Sequence, residues 1–144
     1  MRKRVTLFIV DVADDKILMI HRNHDDNLYY IVPGGGVEEG ETVVEAAHRE
    51  ADEETGLVIE LGELLWKRPF STPMSNGTII DQMEYAYLIT QFSGTPHLSG
   101  PEFERQSETN IYSLEWMSLA DFPNQVVYPS GTDKERLLAA LNGQ

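Results

Sequence analysis

Apolar residues in the first part of the chain form short runs separated by polar turns, a pattern typical of β-strands. Residues 5–12 are rich in β-branched and aromatic side chains, and the polar residues 13–15 connect them to the apolar run 16–20. The two runs predict a hairpin. The polar residues 21–28 predict a loop, and residues 29–32 predict a short strand that stops at a Pro-Gly-Gly-Gly sequence.

A helix is predicted over residues 43–55. Thr42 followed three residues later by Glu45 is the pattern of a capping box, and Gly56 is typical of the position just after a helix. The helix repeat places Val44, Ala47 and Ala51 on one apolar stripe. Alanines in that stripe allow the helix to lie close to a sheet.

The remaining segments complete the prediction of one mixed α/β domain over residues 1–144. Residues 57–70, 78–92 and 111–117 predict strands, residues 71–77 and 93–110 predict loops, and residues 134–141 predict a second helix. Strands on both sides of a central helix, followed by a terminal helix, favour a sheet and helices packed in layers. A length of 144 residues matches a single ordinary domain.

Composition narrows the environment of the protein. No apolar run approaches the roughly 20 residues that span a bilayer. The basic start, residues 1–4, precedes an apolar run that is short and broken by Asp11, so we interpret it as a first strand and expect a cytoplasmic protein. The chain has no cysteine, which leaves oxygen and imidazole as the metal ligands available.

The net charge of −13 opposes binding to DNA or RNA. A small phosphorylated substrate is still compatible with this charge, because a divalent cation screens carboxylates locally and accompanies phosphates. The expected partners therefore include neither a nucleic acid polymer nor a membrane, and a small phosphorylated compound such as a small nucleotide remains possible. A homodimer is left open.

Three glutamates in the predicted helix conflict with rules for helix stability. Glu50, Glu53 and Glu54 stand at i, i+3 and i+4, so their like charges lie about one turn apart. Glu53 and Glu54 also lie in the last turn, where the helix dipole disfavours anions. This conflict indicates either a shared cation or, alternatively, a solvated acidic face.

The spacing around these glutamates favours the cation. The sequence reads Gly35, then Glu41, then Arg49-Glu50-Ala51, then Glu53-Glu54, then Gly56-Leu57. It resembles the signature G-x5-E-x7-R-E-U-x-E-E-x-G-U of the Nudix hydrolases, the MutT-like nucleoside diphosphate-X pyrophosphohydrolases, in which U is a bulky aliphatic residue. Ala51 is the one departure, since it is apolar but small, and it bears on packing rather than on chemistry.

This resemblance covers nearly the whole chain and implies an α/β/α sandwich, with a central mixed sheet and the signature helix packed on it. It also implies a magnesium-dependent enzyme, with Mn²⁺ as an alternative ion, that hydrolyses a phosphoanhydride in a nucleoside diphosphate derivative. The implied metal ligands are the backbone of Gly35 and the carboxylates of Glu50, Glu53 and Glu54. The substrates compatible with the resemblance are nucleotide sugars, ADP-ribose, modified nucleoside triphosphates and dinucleoside polyphosphates.

Further residues receive predicted catalytic roles. Glu50 and Glu53 are expected at the reacting centre, and Arg49 is expected to orient carboxylates through a contact with Glu41 or Glu53. The predicted general base is Glu102, with Glu104, Glu108 or a glutamate of the signature as alternatives.

Two residues outside the signature are predicted to bind substrate. Arg22 is assigned to a phosphate and Tyr30 to the nucleobase, and the alternatives are a surface cation and a core aromatic residue. Two other function classes are also compatible with the sequence: a nucleotide-binding or regulatory module of the same fold without turnover, and an acidic interaction domain.

Overall fold

The computed structural model describes residues 1–74, 76–97 and 110–143. The strands are β1 (Arg2–Asp11), β2 (Lys16–His24), β3 (Asn27–Ile31), β4 (Gly34–Gly36), β5 (Val58–Glu60), β6 (Leu64–Pro73), β7 (Ile79–Ile89), β8 (Gln91–Ser93), β9 (Asn110–Ser118) and β10 (Val127–Tyr128). The helices are α1 (Val43–Thr55) and α2 (Lys134–Asn142), and a 3-10 turn, Phe122–Asn124, precedes β10. In this described part of the chain, no helix is long and apolar enough to cross a membrane.

Strand β1 is the centre of the structure because both of its faces are covered. Its residues 5–10 are all buried, and it pairs in parallel with β7 from Arg2 to Ile9. On one face, Val5, Leu7 and Ile9 belong to the same apolar cluster as the alanines of α1. Burial on both faces explains why residues 5–10 of this strand are almost uniformly apolar instead of alternating.

The sheet divides into two arms that diverge from β1 and β2. One arm contains β4, β1, β7 and β6, and the other contains β10, β3, β2 and β9. The arms are joined where Val10 pairs with Ile17 and Asp11 pairs with Lys16. At that end, Leu137 of α2 is buried in an apolar cluster with Phe8 and residues of both arms. At the other end the arms leave a cleft.

The predicted mixed sheet with helix 43–55 packed on it is confirmed, and α1 begins and ends as predicted. The prediction of a loop over residues 21–28 is wrong except at the turn. Residues 21–24 continue β2 because each of them pairs with β9, and residues 27–28 begin β3. The reversal occurs at Asp25 and Asp26, whose φ angles of 51° and 69° form the turn.

The prediction of one strand over residues 57–70 is also wrong, since β5 and β6 are separate elements. The break lies near Gly62, where an added Cβ would overlap the carbonyl oxygen of Leu88. The chain therefore changes direction where only a glycine allows the backbones to approach so closely. Strand β10, with two residues, was too short for a periodicity to indicate it.

A buried carboxylate ties the strands of the first arm together. Glu84 of β7 is fully buried and accepts hydrogen bonds from the Thr6 hydroxyl at 2.7 Å, the Trp66 indole N–H at 2.8 Å and the Arg68 Nε at 2.7 Å. Three donors from β1 and β6 therefore converge on one acceptor. A buried charge is tolerated when it is paired and hydrogen-bonded in this way.

We expect the Glu84→Ala variant to lose about 3 kcal/mol of unfolding free energy, because it leaves three donors without their acceptor and an arginine without its counterion. Urea unfolding followed by far-ultraviolet circular dichroism measures the loss. The matched control is Asp81→Ala on the same strand, which removes an exposed hydrogen bond of 2.6 Å to Ser71. The control should change stability by less than about 0.5 kcal/mol, and equal losses in the two variants would contradict the assignment.

Candidate active site

Local interactions fix both ends of α1. The Thr42 side chain accepts from the Glu45 backbone N–H at 3.1 Å, and the Glu45 carboxylate accepts from the Thr42 N–H at 3.0 Å. At the other end Gly56 has a φ of +72°, and its N–H donates to the Asp52 carbonyl at 2.9 Å. These caps set the helix register and so determine which side chains of the last two turns face inward.

Two of the three signature glutamates face inward. Glu50 and Glu54 retain 7% and 6% of their surface, whereas the Glu53 side chain is 37% exposed. Spacing of i, i+4 places Glu50 and Glu54 on one face, a turn apart. The last turn contains no basic residue, so compensating charge comes from an earlier turn or from another element.

Gly35 gives the Glu50 carboxylate its space. A Cβ added to Gly35 would lie 2.6 Å from Glu50 Cδ and 2.8 Å from Oε2, so no other residue fits without displacing the carboxylate. Strand β4 is held here because Gly35 pairs with Val5. The glycine therefore brings a backbone segment directly against the carboxylate.

Arg49 is the cation that compensates this cluster. Its guanidinium donates to both oxygens of Glu41 at 2.8 and 2.9 Å, to Glu50 Oε1 at 2.9 Å and to Glu53 Oε2 at 3.1 Å. It also donates to the Gly36 carbonyl at 2.9 Å. One planar group thus connects the glycine strand, the loop that precedes α1 and two glutamates of the helix.

These contacts perturb the titration of the pair that Arg49 forms with Glu41. The Arg49 hydrogen bonds and the Glu38 backbone N–H lower the pKa of the Glu41 carboxyl to about 2. The same contacts raise the pKa of Arg49, with Glu41 as the largest cause and burial opposing it. Both groups are therefore charged at neutral pH.

A second arginine lies between the helix and the cleft. Arg4 of β1 is opposite Gly36 on one side and Glu84 on the other. Burial lowers the pKa of Arg4, while the charges of Glu84, Glu54 and Glu50 oppose that change. Arg4 is thus within electrostatic reach of the inward glutamates of α1.

The inward carboxylates of α1 meet part of the requirement of a divalent metal ion. Among the described residues, no three Asp, Glu or His side chains converge as a complete ligand set. Glu50 and Glu54 are nevertheless buried carboxylates one turn apart on α1, and the Glu50 carboxylate lies beside the Gly35 backbone. Mg²⁺ is ordinarily held by one or two carboxylates, with water and substrate phosphates in its other positions, and this pair fits that requirement.

The cleft between the two arms has a volume of about 610 Å³. Its walls contain aromatic rings, hydroxyl groups and two arginines, which suits a ligand with a flat ring and anionic groups. The first arm contributes Arg4, Phe70, Ser71, Thr72 and Pro73; the second arm and the segment that follows it contribute Arg22, Tyr29, Ile31, Tyr128, Pro129 and Ser130.

The two predicted substrate contacts are placed differently. Arg22 lines the cleft, and its guanidinium lies over the rings of Tyr29 and Tyr112, 5.8 and 4.8 Å from their centroids. Tyr30 is absent from the described lining; its ring packs against His21 at 4.9 Å, and its pKa is raised by a hydrogen bond to Glu115. The neighbouring Tyr29 lines the cleft instead, since successive residues of a strand face opposite sides.

The candidate general base, Glu102, and its alternatives Glu104 and Glu108 lie outside the described residues. Conversely, Arg4, Arg68 and Glu84 were missed by the sequence analysis. A signal for Glu84 exists in β7, because it alternates in phase with the buried residues Ala86 and Leu88. A carboxylate at an inward position of a strand indicates a buried charge that needs a partner.

We expect the Glu41→Gln variant to be less stable than the wild type at pH 7, with a difference that shrinks on acidification. A carboxyl with a pKa lowered in the folded state stabilises the protein above its ordinary pKa, near 4.5, and this contribution is lost as the pH falls towards about 2. Urea unfolding between pH 7 and pH 2.5 measures it. The control is Glu39→Gln in the same loop, which should show no such dependence on pH. If the difference in unfolding free energy between Glu41→Gln and the wild type did not vary with pH, the pairing of Glu41 with Arg49 would be contradicted.

Comparison with known proteins assigns the chain to the same family whose signature residues 35–56 resemble. Residues 1–141 match the family model described as NUDIX domain. The m7GpppN-mRNA hydrolase NUDT17 of Xenopus laevis is 30% identical over 118 residues, which are 76% of this chain and 39% of that protein. The ADP-ribose pyrophosphatase of Methanocaldococcus jannaschii is 51% identical over 53 residues, which are 36% of this chain and 31% of that protein.

Solved structures agree. A MutT NUDIX hydrolase from Burkholderia pseudomallei superimposes with a TM-score of 0.70 at 28% sequence identity, covering 94% of this chain and 97% of that one. The chain therefore belongs to the Nudix hydrolase family.

Proposed function

We propose that the chain hydrolyses a phosphoanhydride bond in a small nucleoside diphosphate derivative with the aid of Mg²⁺ or Mn²⁺. The observation that carries the proposal is the burial of Glu50 and Glu54 one turn apart on α1. Glu50 lies against Gly35, and both carboxylates are within electrostatic reach of Arg4 in the cleft wall. Two buried carboxylates in one helix are costly, and Arg49 contacts Glu50 alone of the two. A divalent ion that brings phosphates with it would offset the remaining cost.

Each part of the site has a role in this reaction. When bound, a divalent ion supplies positive charge to phosphoryl oxygens and a position for the attacking water. In the proposed site Glu50 and Glu54 hold the ion with Glu53 beside them, and Arg49 keeps Glu50 and Glu53 in place through its bonds of 2.9 and 3.1 Å.

The cleft accounts for recognition of the substrate. Arg4 and Arg22 provide cations for the phosphates, since one guanidinium can donate two parallel hydrogen bonds to the oxygens of a phosphate. The rings of Tyr29, Phe70 and Tyr128 provide faces for a base or a sugar. The general base stays a prediction, with Glu102 as the candidate and Glu53 as the alternative within the helix.

Two relatives suggest the first substrates to test. The archaeal relative is named as an ADP-ribose pyrophosphatase and the frog relative as an mRNA cap hydrolase. Because this chain covers only part of the length of either protein, their activities are starting points for this chain. ADP-ribose is small enough for the cleft, and a dinucleoside polyphosphate serves as the small counterpart of a cap.

We expect the purified chain to release a nucleoside phosphate from at least one compound in a panel of ADP-ribose, nucleotide sugars, dinucleoside polyphosphates and oxidised nucleoside triphosphates. The reaction should need Mg²⁺ or Mn²⁺ and should stop in EDTA, because oxygen ligands hold such ions reversibly. Mass spectrometry of products formed in ¹⁸O-labelled water identifies both the product and the phosphorus attacked.

The other outcomes of this panel distinguish the alternatives. Full turnover in EDTA would contradict the metal site. If the chain binds nucleotides but hydrolyses no compound of the panel, the result would favour the regulatory module that the sequence also allows.

We further expect the Glu54→Gln variant to separate stability from activity. Without metal, it should be as stable as the wild type or more stable by up to about 1 kcal/mol, because one anion leaves a like-charged pair and the negative end of the helix dipole. Added Mg²⁺ at a hundredfold excess over its Kd should stabilise the wild type by about 2.7 kcal/mol, and the variant should lose most of that gain together with its activity.

The control variant is Asp52→Asn, which removes an exposed anion from the same helix turn. It should retain both the Mg²⁺ stabilisation and turnover. Thermal melts in EDTA and in Mg²⁺, beside the turnover assay, compare the three proteins. A strongly destabilised metal-free Glu54→Gln would instead make Glu54 a structural glutamate.

A further inference from the structure

Arg68 joins the two arms of the sheet beneath the cleft. From β6 its Nε donates to Glu84 at 2.7 Å, while its Nη1 and Nη2 donate to the carbonyls of Gly131 and Ser130 at 2.6 and 3.0 Å. The first contact lies within the first arm. The other two lie in the segment that follows β10, the last strand of the second arm.

The same side chain supports residues of both cleft walls. Phe70 stands two positions along β6 from Arg68, and the guanidinium lies 5.8 Å from its ring centroid. Across the cleft, Ser130 is itself a lining residue and follows directly on Tyr128 and Pro129, which also line it. The spacing of the walls at this level therefore depends on the length and direction of one side chain.

The carboxylate that Arg68 contacts in the first arm is held in place by several hydrogen bonds. Glu84 is fully buried and is held by Thr6 and Trp66 as well as by Arg68. A guanidinium is planar and presents its donors in a fixed fork, so a fixed carboxylate at one end determines where the carbonyls at the other end must lie. A lysine at this position keeps the charge but has no such fork.

We propose that Arg68 is a positioning residue that sets the width of the cleft, and thereby the affinity for the nucleoside part of the substrate. This inference rests on the proposed function, because the cleft is taken as the substrate site. Among the described residues, the hydrogen bonds of Arg68 reach Glu84 and the 130–131 carbonyls and none reaches α1. Its loss therefore affects binding more than the chemical step.

The Arg68→Lys variant tests the proposal. We expect its KM for the best substrate of the panel to rise about tenfold, with kcat within about twofold of wild type, because ground-state binding is lost uniformly. The matched control is Lys67→Arg, which makes the reverse exchange at the preceding position. The Lys67 ammonium lies over the ring of Tyr85, 5.3 Å from the ring centroid. The control should leave KM and kcat unchanged. A purely structural role would instead lower kcat through loss of folded enzyme and leave KM unaltered.

A second substitution perturbs the same contact from the other side. Gly131 has a φ of +75°, and a Cβ added there would lie 3.0 Å from the Nη1 atom of Arg68. The Gly131→Ala variant should therefore also raise KM. If both changes act through one contact, the double variant Arg68→Lys with Gly131→Ala should show less than the product of the two single effects. Multiplicative effects would overturn the connection.

Hydrogen exchange supplies a measurement that does not depend on turnover. In the absence of nucleotide, the backbone amides of residues 130–134 should exchange faster in Arg68→Lys than in the wild type or Lys67→Arg. Unchanged exchange there, or an unchanged KM, would overturn the proposal. If the wild type hydrolyses no compound, the proposed function fails, and the comparison is then made on the Kd for ADP, which Arg68→Lys should raise about tenfold.

Discussion

The contact on which the site depends is the one between Arg49 and the carboxylates around it. Glu50, Glu53 and Glu54 carry like charges about one turn apart, in a helix end whose dipole is also negative. Arg49 contacts the first two of them, and it bonds both oxygens of Glu41 in the preceding loop. Because one guanidinium serves the loop and the helix, the anions stay together and the loop stays against them. A lone cation elsewhere could balance the charge but could not hold that geometry.

The helix and its carboxylates could be predicted from the sequence because their causes are local. Thr42, Glu45 and Gly56 cap the helix through hydrogen bonds within a few residues, and the spacing of the signature follows from the helix repeat. The packing of Gly35 against Glu50 spans fifteen positions, and only the resemblance to a known pattern could predict it. Once the helix packs on the sheet, that approach requires a glycine.

The cleft could not be predicted because its residues come from strands that only the sheet topology brings together. Tyr29 and Tyr30 are indistinguishable in the sequence, and the register of β3 decides that Tyr29 faces the cleft. Likewise, Arg68 meets Ser130 across 62 positions of sequence, through a contact to a backbone carbonyl that any residue type could offer. Arg22 was predicted as a phosphate contact and lines the cleft, but its sequence position did not indicate the other wall. Glu84 could be recognised as a charge in phase with buried neighbours, although that pattern identifies none of its partners.

The division of the sheet into two arms also bears on how such a protein evolves. The carboxylates of the candidate metal site and the arginine that holds them lie in one stretch, residues 35–56, whereas the cleft is lined by segments scattered over both arms. Wall positions such as Phe70 and Tyr128 lie outside that stretch, so substitutions there can alter the cleft while residues 35–56 stay unchanged. If the proposed function holds, ligand preference could therefore diversify by a few substitutions at a time without a change in the residues proposed for the reaction.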